Sequence, residues 1–571
     1  MSTNNKIADT YIHFLNTINP FWEKMPFDFA GLSQSFFKIA VNLLLQSDKM
    51  WAKNWDLSLR YLELIRQTTS KLYNINIEEV IQPSKKDKCF RDKEWSEQIY
   101  FNFIKQAYLI TSDWAQKLVD EITGLDEKTH KKLKFFTREL INSASPANFA
   151  LTNPAAIKKA IETKGQSLAK GLQYMSMDIM DGSIKMTSGD FKVGKNIGIS
   201  PGKVIFRNEL IELIQYEPRK KMSYSIPILI IPPWINKYYI LDLTPKNSLV
   251  KYLVDNRFTV FVISWKNPDA SMRDTDLEDY LTLGPLAAIE AVKEIIKTEK
   301  INLVGYCLGG TLLSILLAYL ATTEDSTAQS ASFFVTLQDF SEPGELGIFT
   351  EEGQIALIEK KMAKTGYLPS EMMGNTFNML RSNDLIWSFV IQNYLMGERP
   401  KPFDLLYWNS DSTRMPYKMH SEYLRNMYLE NNLVKPGSLK IKGHGLNLSK
   451  IEVDTYSVGT ENDHIVPWRS AFKVKNLFSG TVRFILGNSG HIAGIVSPPT
   501  NERAYYWSNR DGVQKDANEW RTEAKRNTGT WWNDWIYWLS KRSGGLFQAP
   551  NIGNEKYSPI CDSPGTYVLE K

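Results

Sequence analysis

Residues 301–310 read INLVGYCLGG, and this stretch decides how the chain folds. The mostly apolar run Ile301 to Val304 predicts a buried strand, and the stretch Thr311 to Ala321 that follows predicts a helix. The Gly-x-Cys-x-Gly between them has the form of a nucleophile elbow, a sharp strand-to-helix turn, with sulfur in place of the serine oxygen. A helix N-terminus favours a thiolate and the oxyanion formed when it attacks an acyl group. The stretch therefore predicts acyl-transfer chemistry at Cys307.

Around the elbow, short apolar and β-branched runs alternate with helical stretches. Such runs are typical of parallel strands that are covered on both faces. The predicted strands are Ile226 to Ile231, Phe258 to Ser264, Ile301 to Val304, Phe333 to Leu337, Val453 to Val458 and Val482 to Leu486. The predicted helices between them are Leu281 to Ile296 and Thr311 to Ala321. Together with the elbow, this alternation predicts an α/β-hydrolase fold.

The alternation lapses between Ser341 and about Lys442, which is too long for a plain loop in a compact domain. We expect an inserted lid there, over the carboxyl ends of the strands, where open α/β sheets bind ligands. Upstream, from Lys6 to about Leu172, apolar residues recur at helical spacing. The expected organisation is an all-helical N-terminal domain at 1–195, then an α/β-hydrolase domain at 196–571 with its lid at about 341–442.

The composition is that of an ordinary globular protein, and its net charge of +5 gives no case for nucleic-acid binding. The three cysteines, Cys89, Cys307 and Cys561, are far apart, so neither a disulfide framework nor a Cys-x-x-Cys metal site is predicted. The longest apolar stretches are about ten residues, half of what a bilayer-spanning helix requires. No secretion signal is visible. We expect a cytoplasmic protein with no metal and no transmembrane segment.

The thiol needs a base within reach, and His491 has the expected position for one. It follows the last predicted strand through a Gly-Asn-Ser-Gly turn, where an α/β hydrolase places its base. His444, in a Gly-His-Gly turn, fits a hairpin corner as well as it fits a site. His464, beside Asp463, is interpreted as a residue that supports the site residues or as loop structure.

The acid is expected between nucleophile and base in the chain, and Asp463 follows the predicted strand Val453 to Val458 by a short turn. Asp339 is the main rival, because some members of the fold take the acid from one strand earlier. Asp454 lies within a predicted strand and is a poorer candidate.

The oxyanion donors are expected to be the backbone N–H of Leu308 and one from the loop after the strand Ile226 to Ile231. Since prolines 232 and 233 carry no donor, Trp234 or Ile235 must supply the second, and Trp234 is the first choice. The tryptophans at 531, 532, 535 and 538 are interpreted as core packing, and no chemical role is assigned to Cys89 or Cys561.

Longer stretches of the sequence closely resemble the polyhydroxyalkanoate synthases. GYCLGG at 305–310 looks like that family's lipase-like box, and PPWINKYYILDL at 232–243 is similar to its segment after the first core strand. Further matches are SWKNPD at 264–269, RSNDLIW at 381–387, FDLLYWN at 403–409, DHIVPW at 463–468 and GHIAG at 490–494. The likeness runs in order from about residue 140 to the C-terminus. At Trp234 the chain departs from the small or cysteine side chain of many relatives.

The resemblance places the family's nucleophile on Cys307, its acid on Asp463 and its base on His491. It implies a class I synthase, which polymerises short (R)-3-hydroxyacyl-CoA into polyester through a cysteine-bound acyl thioester and releases CoA. Coenzyme A then arrives on the substrate, and no further cofactor is expected. The resemblance also implies a homodimer at the surface of cytoplasmic polyester granules, in contact with granule proteins.

Two other functions compete with polymerisation. The first is a cysteine-dependent hydrolase on the same scaffold, a thioesterase or polyester depolymerase, which the elbow alone does not exclude. The second is a non-catalytic coat protein that binds polyester granules through aromatic surface. A coat protein needs no elbow, so the catalytic hypotheses are favoured.

Overall fold

A computed structural model describes residues 47–75, 77–84, 87–181, 184–187, 191–509 and 516–571, with side chains from residue 51 onward. The helix expected from Lys6 therefore begins outside the described residues. The chain divides into two compact units, a smaller one that reaches residue 189 and also contains 375–403, and a larger one at 190–374 and 404–571.

The described part of the smaller unit is helical. Its helices upstream of residue 190 are α1 (Ser47–Leu72), α2 (Glu94–Glu97), α3 (Ile99–Asp120), α4 (Glu127–Ser143), α5 (Pro154–Glu162) and α6 (Gln166–Met180). Its later part contains the π-helical segments Asn383–Trp387 and Val390–Leu395. Arg399 donates two hydrogen bonds to the buried carboxylate of Asp178 on α6, at 2.9 and 3.0 Å. Residues 375–403, which the sequence places in a lid, thus pack within this helical unit.

The larger unit is built on a mixed sheet. The order of its described strands is β15-β14-β13-β12-β7-β6-β4-β5-β2-β1-β17. The strands that position the site are β4 (Ile228–Ile231), β5 (Val260–Trp265), β6 (Ile301–Tyr306), β7 (Ala328–Phe334), β12 (Thr455–Thr460) and β13 (Val482–Gly487). All six are parallel to their neighbours within this group.

The remaining strands flank this centre or form small two-stranded sheets. They are β1 (Gly202–Arg207), β2 (Ile211–Tyr216), β3 (Met222–Tyr224), β8 (Tyr367–Leu368), β9 (Met415–Pro416), β10 (Lys440–Ile441), β11 (His444–Gly445), β14 (Tyr505–Ser508), β15 (Lys525–Thr528), β16 (Leu546–Gln548) and β17 (Cys561–Asp562). At each side of the parallel centre the pairing becomes antiparallel.

Twelve described α-helices begin in the larger unit. In chain order they are α7 (Leu249–Asp255), α8 (Leu277–Leu281), α9 (Ala287–Ile296), α10 (Leu308–Thr322), α11 (Glu352–Thr365), α12 (Ser370–Leu380, which ends in the helical unit), α13 (Asp404–Ser410), α14 (Tyr417–Tyr423), α15 (Trp468–Phe472), α16 (Val474–Leu477), α17 (Ala517–Glu523) and α18 (Trp532–Ser540). The predicted helix Leu281 to Ile296 is interrupted by a π-helical segment at Thr282–Leu286, where Pro285 removes a backbone donor.

The predicted α/β-hydrolase fold is confirmed, with α10 directly after β6. Every residue of β6 is buried, and α10 buries most of its length, as expected for elements at the centre of a covered sheet. None of the described helices combines the length and the apolar character that a membrane crossing requires.

Candidate active site

Cys307 lies at the turn between β6 and α10 with a strained backbone. Its φ of 52° and ψ of −118° fall in a region that residues other than glycine rarely adopt. Such strain persists only where the surroundings impose it, and it concentrates at functional sites. The Cys307 N–H donates to the carbonyl oxygen of Phe334 on β7 at 2.9 Å, which fixes the turn against the neighbouring strand. The thiol is half-buried. The chain therefore has the elbow that the sequence predicts.

Two glycines in the first turn of α10 allow this arrangement. A Cβ on Gly309 would collide with the carbonyl oxygens of Ile231 and Pro232, at the end of β4. A Cβ on Gly310 would collide with the side chain of Thr336, just after β7. The helix can approach both strands only because these side chains are absent.

His491 and Asp463 form a buried pair. The Nδ1 of His491 lies 2.8 Å from Oδ2 of Asp463. The other oxygen, Oδ1, accepts the backbone N–H groups of Ile465 and Val466 at 2.9 and 2.8 Å. The carboxylate is thus held by its own loop and holds the imidazole in turn, which is the usual relation of acid to base in a triad.

The Cys307 thiol is hydrogen-bonded to the His491 imidazole. Burial lowers the pKa of His491, but the negative charges of Asp463 and Cys307 and the hydrogen bonds to both outweigh it and raise the pKa to about 10. The ring also stacks on Tyr306, with centroids 6.0 Å apart. The structure thus brings together Cys307, Asp463 and His491, with an environment that favours a protonated imidazole.

The rival acids and bases are engaged elsewhere. Asp339 accepts the backbone N–H of Ser341 and the side-chain amide of Asn431, each at 2.8 Å. These hydrogen bonds, together with nearby Lys473, outweigh burial and lower its pKa. Asp454 pairs with Arg542 at 2.8 Å.

The two remaining histidine alternatives are loop and hairpin residues. His464 accepts the backbone N–H of Glu345 through its carbonyl oxygen at 3.2 Å. His444 lies in the exposed hairpin of β10 and β11.

Buried tryptophans hold the loop that carries His491. The indole N–H groups of Trp531 and Trp532 donate to the carbonyl oxygens of Gly494 and Ile495 at 2.8 and 2.9 Å. The core interpretation of the four tryptophans is confirmed, since all four are buried. The sequence does not indicate that two of them also support the loop of the base.

The expected oxyanion donors lie in the first turn of α10 and in the loop after β4. Leu308 is the first residue of α10, and among the described residues its N–H has no hydrogen-bond acceptor. Trp234 is buried in the loop after β4, which Gly309 brings close to the helix N-terminus. Its carbonyl oxygen accepts the hydroxyl of Thr413 at 2.7 Å, which fixes the peptide plane that carries the N–H of Ile235. The assignment of the second donor to Trp234 stays a prediction.

An aromatic wall, which the sequence analysis missed, includes two tyrosines close enough to the thiol to feel its charge. The Tyr423 ring lies 5.6 Å from Trp234 and 6.0 Å from Tyr428, and Phe340 lies 5.0 Å from Tyr428. Burial raises the pKa of both tyrosines, and negative charge at Cys307 raises both further. Tyr428 lies in a π-helical segment, Leu424–Leu429, a feature common near functional sites. That irregularity is visible only in the backbone, so the sequence carried no signal for these residues.

The other two cysteines are placed differently. Burial raises the pKa of the Cys89 thiol to about 12, and it also raises that of Cys561. Both thiols therefore stay protonated near neutral pH. In the portion of the chain that is described, no group of three or more histidine, cysteine, aspartate or glutamate side chains is arranged to hold a metal ion.

Comparison with known proteins agrees with this geometry. A family model described as the alpha/beta hydrolase fold matches residues 226–498, and one described as "Poly-beta-hydroxybutyrate polymerase (PhaC) N-terminus" matches residues 86–253. The poly(3-hydroxyalkanoate) polymerase of Methylorubrum extorquens is 39% identical over 95% of this chain and 90% of its own length. The PhaC polymerase subunit of Cupriavidus necator is 39% identical over 85% of this chain and 83% of its own. A monoacylglycerol lipase from Paleococcus ferrophilus covers 59% of the chain at 13% identity, and its TM-score of 0.33 is too low to support an argument.

The fold and the elbow define an enzyme with an α/β-hydrolase domain. Within that class, the chain belongs to the poly(3-hydroxyalkanoate) polymerase family, of the class I type, and is an acyltransferase. The family expected from the sequence motifs is confirmed.

Proposed function

We propose that this enzyme polymerises short (R)-3-hydroxyacyl-CoA, such as 3-hydroxybutyryl-CoA, into polyester through an acyl thioester on Cys307. The main support is the strained Cys307, hydrogen-bonded to an imidazole that Asp463 holds at 2.8 Å. The relatives are named poly(3-hydroxyalkanoate) polymerases, and this chain spans most of their length.

In the first step the Cys307 sulfur attacks the thioester carbonyl carbon of the acyl-CoA. A bond forms between that carbon and the Cys307 sulfur, the bond to the CoA sulfur breaks, and the CoA thiolate takes the proton from the His491 imidazolium. The N–H groups of Leu308 and Trp234 donate to the oxyanion that forms between these events.

In the second step the 3-hydroxyl oxygen of another acyl group attacks the Cys307 thioester. A carbon–oxygen bond forms, the bond to Cys307 breaks, and the hydroxyl proton passes to His491, which restores the initial ion pair. The thioester of the substrate is replaced by the Cys307 thioester and then by an oxoester. Because an oxoester is more stable than a thioester, the free energy falls as the polymer elongates. No cofactor besides the CoA on the substrate is required.

The aromatic wall supports the proposed preference for short acyl groups. Tyr423 and Tyr428 lie close enough to the thiol to feel its charge, and the rings of Trp234 and Phe340 pack against them. Long side chains would have to displace these rings. We expect 3-hydroxybutyryl-CoA to acylate Cys307 faster than 3-hydroxyoctanoyl-CoA does.

The location proposed for the enzyme is the surface of polyester granules in the cytoplasm, as a homodimer with granule proteins nearby. The family resemblance is its support. Light scattering of the purified chain before and after polymer forms measures the assembly. Co-sedimentation with polyester particles measures granule binding.

Turnover of 3-hydroxybutyryl-CoA tests the proposal. We expect CoA release, insoluble polyester and a 3-hydroxybutyryl adduct on Cys307 by mass spectrometry. In Cys307→Ala the rate of CoA release should fall at least about 10³-fold, whereas Cys89→Ser and Cys561→Ser, as matched controls, should keep it. Free 3-hydroxybutyrate without polyester would indicate a hydrolase. Granule binding without any CoA release would indicate a coat protein.

A further inference from the structure

Two glutamines of the larger unit are fully buried but differ in their hydrogen bonding. On β2, Gln215 donates to the carbonyl oxygen of Asn551 at 3.0 Å and accepts the N–H of Gly553 at 2.8 Å. Gln338 is 1% exposed, and neither Oε1 nor Nε2 of its carboxamide has a partner among the described residues. A buried polar group left unpaired destabilises the fold, so an isolated one calls for an explanation.

Gln338 lies in a segment that borders the nucleophile. Thr336 packs against Gly310, in the first turn of α10. The carbonyl oxygen of Leu337 accepts the hydroxyl of Thr311, one residue further along that helix, at 2.8 Å. On the other side of Gln338, Phe340 is part of the aromatic wall. Along the chain, Gln338 therefore lies between residues that contact the helix of Cys307 and a residue of the aromatic wall.

The chemistry of this carboxamide fits the proposed substrate. A carboxamide offers both a hydrogen-bond donor and an acceptor. A 3-hydroxyacyl group carries a hydroxyl donor and carbonyl acceptors, whereas the wall beside Gln338 provides chiefly aromatic surface. Asp339 does not compete for this role, because Ser341 and Asn431 already occupy its carboxylate.

We propose that Gln338 is a specificity-determining residue whose unpaired carboxamide accepts a hydrogen bond from the 3-hydroxyl of the acyl group during acylation of Cys307. The inference rests on the proposed function and deepens it by naming the residue that recognises the hydroxyl. It also explains why an unpaired amide is retained in a core position, since a site built to hydrogen-bond a substrate group discriminates strongly against analogues that lack it.

The test compares two substrates in the full-length enzyme and in Gln338→Leu. The rate of Cys307 acylation is measured by adduct mass with 3-hydroxybutyryl-CoA and with butyryl-CoA, which lacks the hydroxyl. In wild type we expect the hydroxylated substrate to react faster. In Gln338→Leu its rate should fall about tenfold while the rate with butyryl-CoA stays the same. Gln338→Met, of similar volume, is a second variant should leucine impair folding.

The control is Gln215→Leu, which removes a buried glutamine whose hydrogen bonds are satisfied. This change should lower the melting temperature and leave the ratio of the two acylation rates unchanged. Gln338→Leu should not lower the melting temperature, because it removes an unpaired polar group.

Equal changes with both substrates, or no change with either, would overturn the role of Gln338, because a merely structural amide or one bound to an internal water cannot distinguish them. Failure of the proposed function looks different. In that case wild type itself would form no adduct with 3-hydroxybutyryl-CoA.

Discussion

Cys307 and His491 are held in place by different means. The thiol is positioned by backbone geometry within one short stretch, through a strained φ of 52° and glycines that allow close approach. The imidazole is positioned by side-chain hydrogen bonds from distant parts of the chain, namely Asp463 and the tryptophans that hold its loop. We therefore expect the position of the Cys307 thiol to be disrupted by steric collision. The position of the His491 imidazole should be disrupted by the loss of single hydrogen bonds or charges.

Asp463→Asn should have the largest effect on the base side. It removes the charge that stabilises the imidazolium and the acceptor that orients the ring, so the rate of CoA release should fall about 10²–10⁴-fold. Asp339→Asn is the matched control, in the segment after the neighbouring strand β7, and should change the rate only a few-fold. If the two variants lose activity equally, the pairing of Asp463 with His491 does not determine the rate.

Gly309→Ala should be the most damaging small change on the nucleophile side. The added methyl group collides with the Ile231 and Pro232 carbonyl oxygens, so stability should fall by about 1–3 kcal/mol. Displacement of the sulfur from the oxyanion loop should slow acylation about 10²-fold. The measurements are chemical denaturation and the rate of adduct formation.

Gly374→Ala is the control for this collision, because the nearest atom to its added Cβ is the Ser412 hydroxyl oxygen at an ordinary 3.4 Å. Equal losses in both glycine variants would mean that the close approach at Gly309 is not what positions the thiol.

The pH dependence of stability tests the charge on the base side. In a Cys307→Ala background no thiol titrates at the site, and adding Asp463→Asn removes the carboxylate that raises the pKa of His491. A histidine whose pKa is higher in the folded than in the unfolded protein stabilises the fold. This stabilisation is fully present below the unfolded-state pKa of about 6.5 and is lost as the pH rises through the folded-state pKa. The loss of unfolding free energy caused by Asp463→Asn should thus be larger at pH 6 than at pH 10, as measured by chemical denaturation. A cost that is constant across this range would contradict it.

Trp531→Phe should have the smallest effect. It leaves the carbonyl oxygen of Gly494 without its indole donor, which should cost about 1 kcal/mol and slow CoA release by less than about tenfold. Trp538→Phe is the control, because that ring packs on Tyr456 and Arg542 instead of on the His491 loop. A slower rate in Trp538→Phe alone would show that the hydrogen bond to Gly494 is not the relevant contact.

The centre of the fold could be predicted because buried parallel strands leave a local signal. Each of the six strands predicted from apolar runs overlaps one of the six parallel strands, although the prediction Phe333 to Leu337 shares only Phe333 and Phe334 with β7. The antiparallel strands β1 and β2 were missed, because Lys203, Arg207 and Glu212 interrupt their apolar runs. The grouping of 375–403 with the helical unit depends on contacts such as Asp178 with Arg399, which pattern along the chain does not encode.

In the candidate site, too, some residues could be predicted from the sequence and others could not. The order of nucleophile, acid and base along the chain predicted three residues that the structure brings together. The sequence did not indicate Tyr423, Tyr428 or Gln338. Each lies more than twenty residues from Cys307, Asp463 and His491 and belongs to no motif recognised in the sequence. What identifies them is ring contact or an unpaired amide in three dimensions, and a linear pattern carries neither.

The support of the His491 loop by Trp531 and Trp532 also has a consequence for synthesis on the ribosome. The elbow is complete by residue 310, more than two hundred residues before the second indole donor is translated. A nascent or truncated polypeptide that ends between these points carries the thiol without the anchored base. If Cys307 acts as proposed, we expect full reactivity of its sulfur only in chains whose translation has passed Trp532.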